Sequence, residues 1–264
     1  MGSAAQNPTR IAAVIPARMN SSRFPGKMLA DATGRPLIQH VYERARACPR
    51  VQEVIIATDD ARIEAAAARF GARCIRTRED HPNGTSRIAE ASAQIDADII
   101  VNVQGDEPEL EPELITAAID ALLADPGADM STVVSPFLPS EDPANPNIVK
   151  CVITHGGNNG RTPRALYFSR ALIPFPRDGN GPAAPLKHVG LYVYRRAFLA
   201  VFAAWPPTDL EQTEQLEQLR ALEHGHAIAV AHGTARSHGI DTREQYEAFV
   251  SRWRAQPQAS APRS

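Results

Sequence analysis

Ile15-Pro16-Ala17-Arg18-Met19-Asn20-Ser21-Ser22-Arg23-Phe24-Pro25-Gly26-Lys27 continues an apolar run that begins at Ile11. The run reads as a buried first strand over residues 11–15, and Pro16 is expected to end it. The loop beyond carries three cations, Arg18, Arg23 and Lys27, among small and hydroxylic residues. Such a loop suits a polyphosphate, because cations neutralise several oxygens and small side chains let backbone N–H groups approach. It is not a P-loop, whose template needs Gly at Ser21 and Ser or Thr at Met28. No G-x-G-x-x-G follows the strand either, which disfavours a nicotinamide oxidoreductase. A surface loop of solvated charges is the plain alternative. Its place after the first strand favours function, since open α/β sheets bind ligands at strand carboxyl ends.

Outward from this stretch, residues 36–47 form a helix with Leu37, Ile38, Val41, Tyr42 and Ala45 on one face. Residues 53–58 read as a strand, and Asp59-Asp60 starts an alanine-rich helix running to Phe70 with Gly71 as its C-cap. A strand over 72–77, a loop over 78–84 and a helix from about Thr85 follow. The apolar strand 98–103 ends in Gln104-Gly105-Asp106-Glu107-Pro108, and Pro112 suits the first turn of the next helix. This alternation predicts an α/β fold with a mostly parallel sheet wrapped by helices.

The rhythm then changes. Residues 132–139, 148–154, 165–169 and 187–194 are strand-like, with a turn cluster at 156–160 and a Pro/Gly-rich loop at 174–185. The section 132–194 reads as an antiparallel insertion or an oligomer-forming arm. An amphipathic helix over 210–222, a strand over 226–231 and a closing helix over 241–254 complete the pattern. Residues 1–9 and 255–264 are expected to be disordered, leaving 10–254 as a single domain.

The 264 residues are 43% hydrophobic and 22% charged with a formal net charge of −2. This is the composition of an ordinary globular chain, without the basic footprint of a nucleic-acid binder or a basic helix for transcriptional recognition. Three cysteines, Cys48, Cys74 and Cys151, cannot all pair and read as buried thiols in a reducing compartment. Residues 1–7 lack a basic and apolar leader, and no apolar run reaches membrane-spanning length, so a cytoplasmic location away from membranes is expected.

Several residues suit chemistry. Asp106, on a turn at a strand end, is well placed to hold Mg²⁺, a hard cation that takes one or two carboxylates plus phosphate oxygens; a turn-forming Asp is the alternative. Asp241 with Glu244 fits a capping box, the reading local sequence prefers, while Thr242 with Gln245 fits a second that would leave the Asp241 carboxylate free. Glu217, Gln218 and Arg220 fall on the helix 210–222, where polar residues are usually solvated. His188 opens an apolar strand, where a packed and hydrogen-bonded ring is the usual state. Arg170 follows a strand and can bind a carboxylate bidentately. There is no H-E-x-x-H, Cys/His cluster or G-x-S-x-G.

These features occur in an ordered set: Ile15-Pro16-Ala17-Arg18, Pro25-Gly26-Lys27, Asn102-Val103-Gln104-Gly105-Asp106-Glu107-Pro108, Tyr167-Phe168-Ser169-Arg170, Lys187-His188-Val189-Gly190-Leu191-Tyr192, Leu216-Glu217-Gln218-Leu219-Arg220 and Gly239-Ile240-Asp241-Thr242. Together they closely resemble the 3-deoxy-manno-octulosonate cytidylyltransferases, a family of sugar nucleotidyltransferases, over roughly residues 9–254. The resemblance implies a Rossmann-like nucleotide-diphospho-sugar transferase fold, with a mixed, mostly parallel central sheet and a β-rich section used for homodimerisation. It implies CMP transfer from CTP to 3-deoxy-manno-octulosonate (Kdo), with release of pyrophosphate, for lipopolysaccharide assembly. It also implies Mg²⁺ held by Asp106 and Asp241, with Arg18 and Lys27 completing the catalytic set. Carried over by motif, Ala17, Arg18, Arg23, Lys27, Asn83, Gly84 and Arg87 would bind CTP. Gln104, Arg170, His188, Tyr192, Glu217 and Gln218 would bind Kdo. The chain departs from the family at Asn83 and Ser86, where Ser and an acidic residue are usual. A related transferase for a sialic acid and a silent nucleotide-binding protein are the rivals. Tyr167-Phe168-Ser169-Arg170 argues against the first, and the intact Arg18, Lys27, Asp106 and Asp241 against the second.

Overall fold

The computed structural model describes residues 8–255 except 22, 156–160, 180, 182 and 237–238. The turn cluster predicted at 156–160 and the tail 256–264 lie outside the described residues. Nine strands share one mixed sheet: β1 Ile11–Ala17, β2 Glu53–Thr58, β3 Arg73–Arg76, β4 Ile99–Asn102, β5 Met130–Pro136, β6 Lys150–Ile153, β7 Ala165–Ser169, β8 Leu186–Arg195 and β9 Ile228–His232. Among the described residues, eight α-helices accompany them: α1 Leu37–Arg46, α2 Ala61–Arg69, α3 Gly84–Ser92, α4 Pro112–Ala124, α5 Arg196–Ala204, α6 Asp209–Glu214, α7 Leu219–Glu223 and α8 Arg243–Ala255.

The main path of the sheet runs in the order β3-β2-β1-β4-β8-β5-β9, and along this path β8 runs against the other strands. Successive residues of β1 alternate between the two cores. Ile11, Ala13 and Ile15 pack in a layer with α1 and α4, whereas Ala12 and Val14 pack with α3 and α5. A strand covered on both faces must be apolar throughout, which is why 11–15 reads as a continuous run rather than an alternation. The chain leaves β1 toward β2 and β3, then returns on the other side of β1 to form β4. The crevice of a doubly wound sheet opens at this reversal, beyond the strand carboxyl ends.

Two expectations are corrected. Pro16 does not end the first strand, which continues to Ala17 with Pro16 opposite Ala57 of β2. The β4 side of the ladder closes with the Val103 N–H donating to the Val14 carbonyl, and Pro16, two residues on, faces the same edge beyond that last bond. No ladder donor is needed there, so proline costs nothing. Nor is 210–222 one helix. Gln215, at φ 54°, turns the chain left-handed after α6, and a separate short α7 begins at Leu219. The break turns the 216–220 segment inward: Gln218 and Arg220 are each only 3% exposed. The solvated-face expectation for these polar residues therefore fails.

The β-rich section is partly integral to the sheet. β5 and β8 are central strands, and only the antiparallel pair β6–β7 branches away from β8. A bulge separates Thr132–Tyr192 pairing from Val133–Val189 pairing, so Gly190 and Leu191 of β8 are extra residues. Bulges of this kind re-aim neighbouring side chains. Cys48 and Cys151 are buried, Cys74 is half-buried and all three are free thiols. Among the described residues, no helix is long and apolar enough to cross a membrane.

Candidate active site

Two cavities, each of about 250 Å³, open at the carboxyl ends of the central strands. Ala17, Arg18, Arg23 and Lys27 come to the first from the loop after β1. Asn83, Gly84 and Arg87 reach it from the start of α3, and Gln104 and Asp106 from the turn after β4. Asp241 closes it from the far end of the chain. Every residue assigned to CTP by motif lines this one cavity. Gly105 lets the turn approach: a Cβ there would lie 2.8 Å from the Pro16 carbonyl oxygen.

The centre of the first cavity is an ion cluster. Lys27, whose side chain is 8% exposed, donates from Nζ to Asp106 Oδ2 at 2.7 Å, to Asp241 Oδ1 at 3.3 Å and to the Ile240 carbonyl at 2.8 Å. Arg23 reaches the other Asp241 oxygen at 2.8 Å. The capping question at Asp241 is decided by Gln245. Its Oε1 accepts the N–H groups of Asp241 and Thr242 at 2.7 and 3.0 Å, while its own N–H donates to Thr242 Oγ1 at 3.3 Å. Thr242 is thus the cap of α8, against the reading local sequence preferred, and the Asp241 carboxylate faces the cations instead. Asp106 and Asp241, far apart in sequence, converge on one point. Two carboxylates beside open space for phosphate oxygens fit Mg²⁺, which rarely takes an all-protein cage.

Arg87, 3% exposed, is held by the Thr77 hydroxyl at 2.5 Å and Asp59 Oδ1 at 3.2 Å. Asn83 caps α3, accepting the Ser86 N–H at 2.9 Å, and its amide donates to Glu217 at 2.9 Å. Glu217 also accepts the Thr85 hydroxyl at 2.6 Å and lies 3.5 Å from Arg220. Burial raises the Glu217 carboxyl above the usual range, against the Thr85 bond and the Arg220 charge. His81, which the sequence reading did not assign, also lines the cavity, braced by Glu90 at 2.6 Å and Ser86 at 3.1 Å.

His188, Tyr192 and Gln218 line the second cavity with Glu107, Gly190 and Gly239. His188 Nε2 is 2.8 Å from Thr132 Oγ1, whose single proton is directed to the Leu191 carbonyl at 2.8 Å. Nε2 is therefore the donor of that pair, and burial keeps the ring neutral by lowering its pKa to about 3. The ring packs edge-on to Phe168, the packed and bonded state expected for it. The Tyr192 hydroxyl donates to Gln218 Oε1 at 3.0 Å, and burial, with Glu217 next, drives its pKa upward. Glu107 is pushed up to about 8 by burial, then by Asp106 and Glu111.

The remaining assignments fall elsewhere. Gln104 lines the first cavity, with its Cγ 4.0 Å from where a Cβ on Gly190 would stand. Glu217 and Arg170 line neither of these two cavities. Arg170 donates to the carbonyls of Glu214, Gln215 and Pro146 at 2.6, 3.3 and 3.0 Å, gripping the carboxyl end of α6 where the helix breaks. Its guanidinium is engaged with main-chain oxygens rather than presented to an incoming carboxylate. The segments 104–107 and 239–241 contribute to both cavities, so the two binding spaces adjoin along these segments.

Residues 12–228 match the cytidylyltransferase family. The chain is 50% identical over 255 residues to the 3-deoxy-manno-octulosonate cytidylyltransferase of Pelobacter propionicus, covering 93% of this chain and 98% of that protein. It is 48% identical to the protein of the same name from Geobacter sulfurreducens, over 92% and 98% of the two chains. It superimposes with a TM-score of 0.85 and 41% identity on the CMP:2-keto-3-deoxy-manno-octonic acid synthetase complexed with CTP, covering 92% of this chain and 98% of that one. The chain belongs to the cytidylyltransferase family.

Proposed function

We propose that this chain transfers CMP from CTP to the anomeric hydroxyl of Kdo, giving CMP-Kdo and pyrophosphate. The observation that carries the reading is the pair of adjoining cavities, one rich in cations beside Asp106 and Asp241, the other presenting His188, Tyr192 and Gln218 together with Glu107 and Lys187. The bond formed joins the sugar oxygen to the α-phosphorus; the bond broken joins that phosphorus to the bridging oxygen of the departing pyrophosphate. Such a transfer depends on positioning and charge stabilisation rather than covalent chemistry by the protein.

In this reading Arg18, Arg23 and Lys27 hold the triphosphate and Asn83, Gly84 and Arg87 bind toward the nucleoside end; their common lining of the first cavity supports it. Asp106 and Asp241 would hold Mg²⁺, which when bound neutralises phosphate charge and favours loss of the sugar hydroxyl proton. Lys27 bridges the two carboxylates and compensates their charge before ligands arrive. His188, Tyr192 and Gln218 orient the sugar acid in the second cavity, with Gln104 at the junction. Arg170 and Glu217 act at one remove by fixing the 214–218 segment that carries Gln218.

The β-rich section serves as the dimer contact in this reading. Leu166 on β7 and Phe175 are 59% and 78% exposed, unusual for large apolar side chains without a partner. Free thiols and a nucleoside triphosphate substrate are consistent with work in the cytoplasm. Phosphorus NMR of a reaction with CTP, Mg²⁺ and Kdo tests the chemistry. A phosphodiester signal of CMP-Kdo growing with pyrophosphate is expected; inorganic phosphate and CDP without the diester would contradict it.

A further inference from the structure

Asp106 and Glu107 are neighbours in sequence, yet they serve different spaces. Asp106 lines the first cavity and is bound by Lys27, whereas Glu107 lines the second. The tight turn after β4 divides the two side chains between nucleotide and sugar. Among the described residues, the Glu107 carboxyl has no hydrogen bond or ion pair. The side chain is half-buried in the wall of the second cavity, where a ligand can reach its oxygens.

Two glycines border the group. A Cβ on Gly190 would stand 3.5 Å from Glu107 Oε1, and one on Gly239 would stand 3.7 Å from its Cγ. Both glycines line the same cavity, and Gly190 is brought there by the bulge in β8. The cavity also holds a second unmet group. Gln218 is 3% exposed and its Oε1 is taken by Tyr192, but its Nε2 is buried with no partner. One space thus presents an unmet acceptor and an unmet donor. A hydroxyl-bearing chain answers both, because each hydroxyl can donate and accept.

We infer that Glu107 is a specificity-determining residue for the sugar acid, its carboxyl oxygens accepting hydrogen bonds from acceptor hydroxyls while the Gln218 amide donates to a neighbouring oxygen. The inference rests on the proposed transfer to Kdo and assigns the recognition of the sugar's hydroxyl pattern to this pair. A site built to bond a hydroxyl discriminates strongly against an analogue lacking it, since its own polar group is then left unpaired.

The test compares wild type, Glu107→Ala and Glu107→Gln with Kdo and with Kdo analogues that each lack a single hydroxyl, with circular dichroism to confirm folding. Glu107→Ala should raise the KM for Kdo about ten- to a hundred-fold and leave CTP affinity, measured by calorimetry, within about twofold. Glu107→Gln, which keeps one acceptor oxygen, should recover part of the loss. One deoxy analogue should be poor with wild type and lose nothing further with Glu107→Ala, because the same bond has already been removed. An unchanged KM for Kdo in a folded Glu107→Ala, or equal weakening of CTP and Kdo, would overturn the inference while the transferase reading stands. Wild type that forms no CMP-Kdo would overturn both.

Discussion

The Lys27 ammonium donates to the Asp106 carboxylate over 2.7 Å from a side chain that is itself almost wholly buried. The pair links the loop after β1 to the turn after β4, and Asp241 joins it from the end of the chain. One cation therefore holds together three of the segments that shape the nucleotide cavity, the start of α3 being the fourth.

Replacing that cation should damage catalysis more than folding. Lys27→Met keeps most of the apolar stem but leaves Asp106 and Asp241 without their shared partner. Turnover is expected to fall by about 10²–10³, the usual loss on removing one electrostatic contributor to a phosphoryl-transfer site. Steady-state kinetics at saturating CTP and Kdo would show this; a kcat within about twofold of wild type would remove Lys27 from the machinery.

Asp106→Asn preserves shape and removes charge. A neutral amide is a poorer ligand for a hard cation, so turnover should nearly vanish at ordinary Mg²⁺. Calorimetric titration of Mn²⁺ into the CTP-loaded protein should show weaker binding in the variant. Equal Mn²⁺ affinity with normal turnover would place the metal elsewhere.

Arg170 grips the end of α6 through the carbonyls of Glu214 and the left-handed Gln215, and ties it to the Pro146 carbonyl. Arg170→Ala should loosen the segment carrying Gln218 and raise the KM for Kdo more than that for CTP. Proteolysis near residue 215 should quicken in parallel. Equal effects on both substrates would argue that Arg170 supports the whole domain rather than the sugar cavity.

His40 gives a pH signature of stability. Its Nε2 is 2.7 Å from Thr33 Oγ1, and the ring packs edge-on to Phe249 and Trp253 of α8. Burial lowers its pKa to about 4, with Glu43 opposing and Arg35 adding. Between about 4 and 6.5 the unfolded chain binds the proton that the folded chain refuses, so stability is complete above 6.5 and declines as pH falls. The contribution is at most ~3 kcal/mol. Urea unfolding of wild type and His40→Gln across this range should show a shallower acid decline in the variant; parallel curves would contradict the assignment.

Much of this was legible in the sequence because local pattern and tertiary role coincide. The β1 apolar run, the cationic loop and the Gln104–Pro108 turn declare a sheet and its ligand-binding edge. The break at Gln215 was not legible, since no Gly or Pro marks it. Only the Arg170 grip and the buried Arg220–Glu211 pair, 2.6 Å at Nε, make the left-handed turn worthwhile. Pro16 misled for a similar reason: whether proline ends a strand depends on whether a neighbour needs its N–H, which is a fact about β4. Glu107 was quoted within its motif, but nothing in the sequence says that its side chain faces a different cavity from Asp106.

The most direct test of the account is pyrophosphate release from CTP and Mg²⁺ with Kdo, with a sialic acid, and with no sugar. The account predicts rapid release with Kdo alone, abolished by EDTA. Release only with the sialic acid, or with neither sugar, would contradict it.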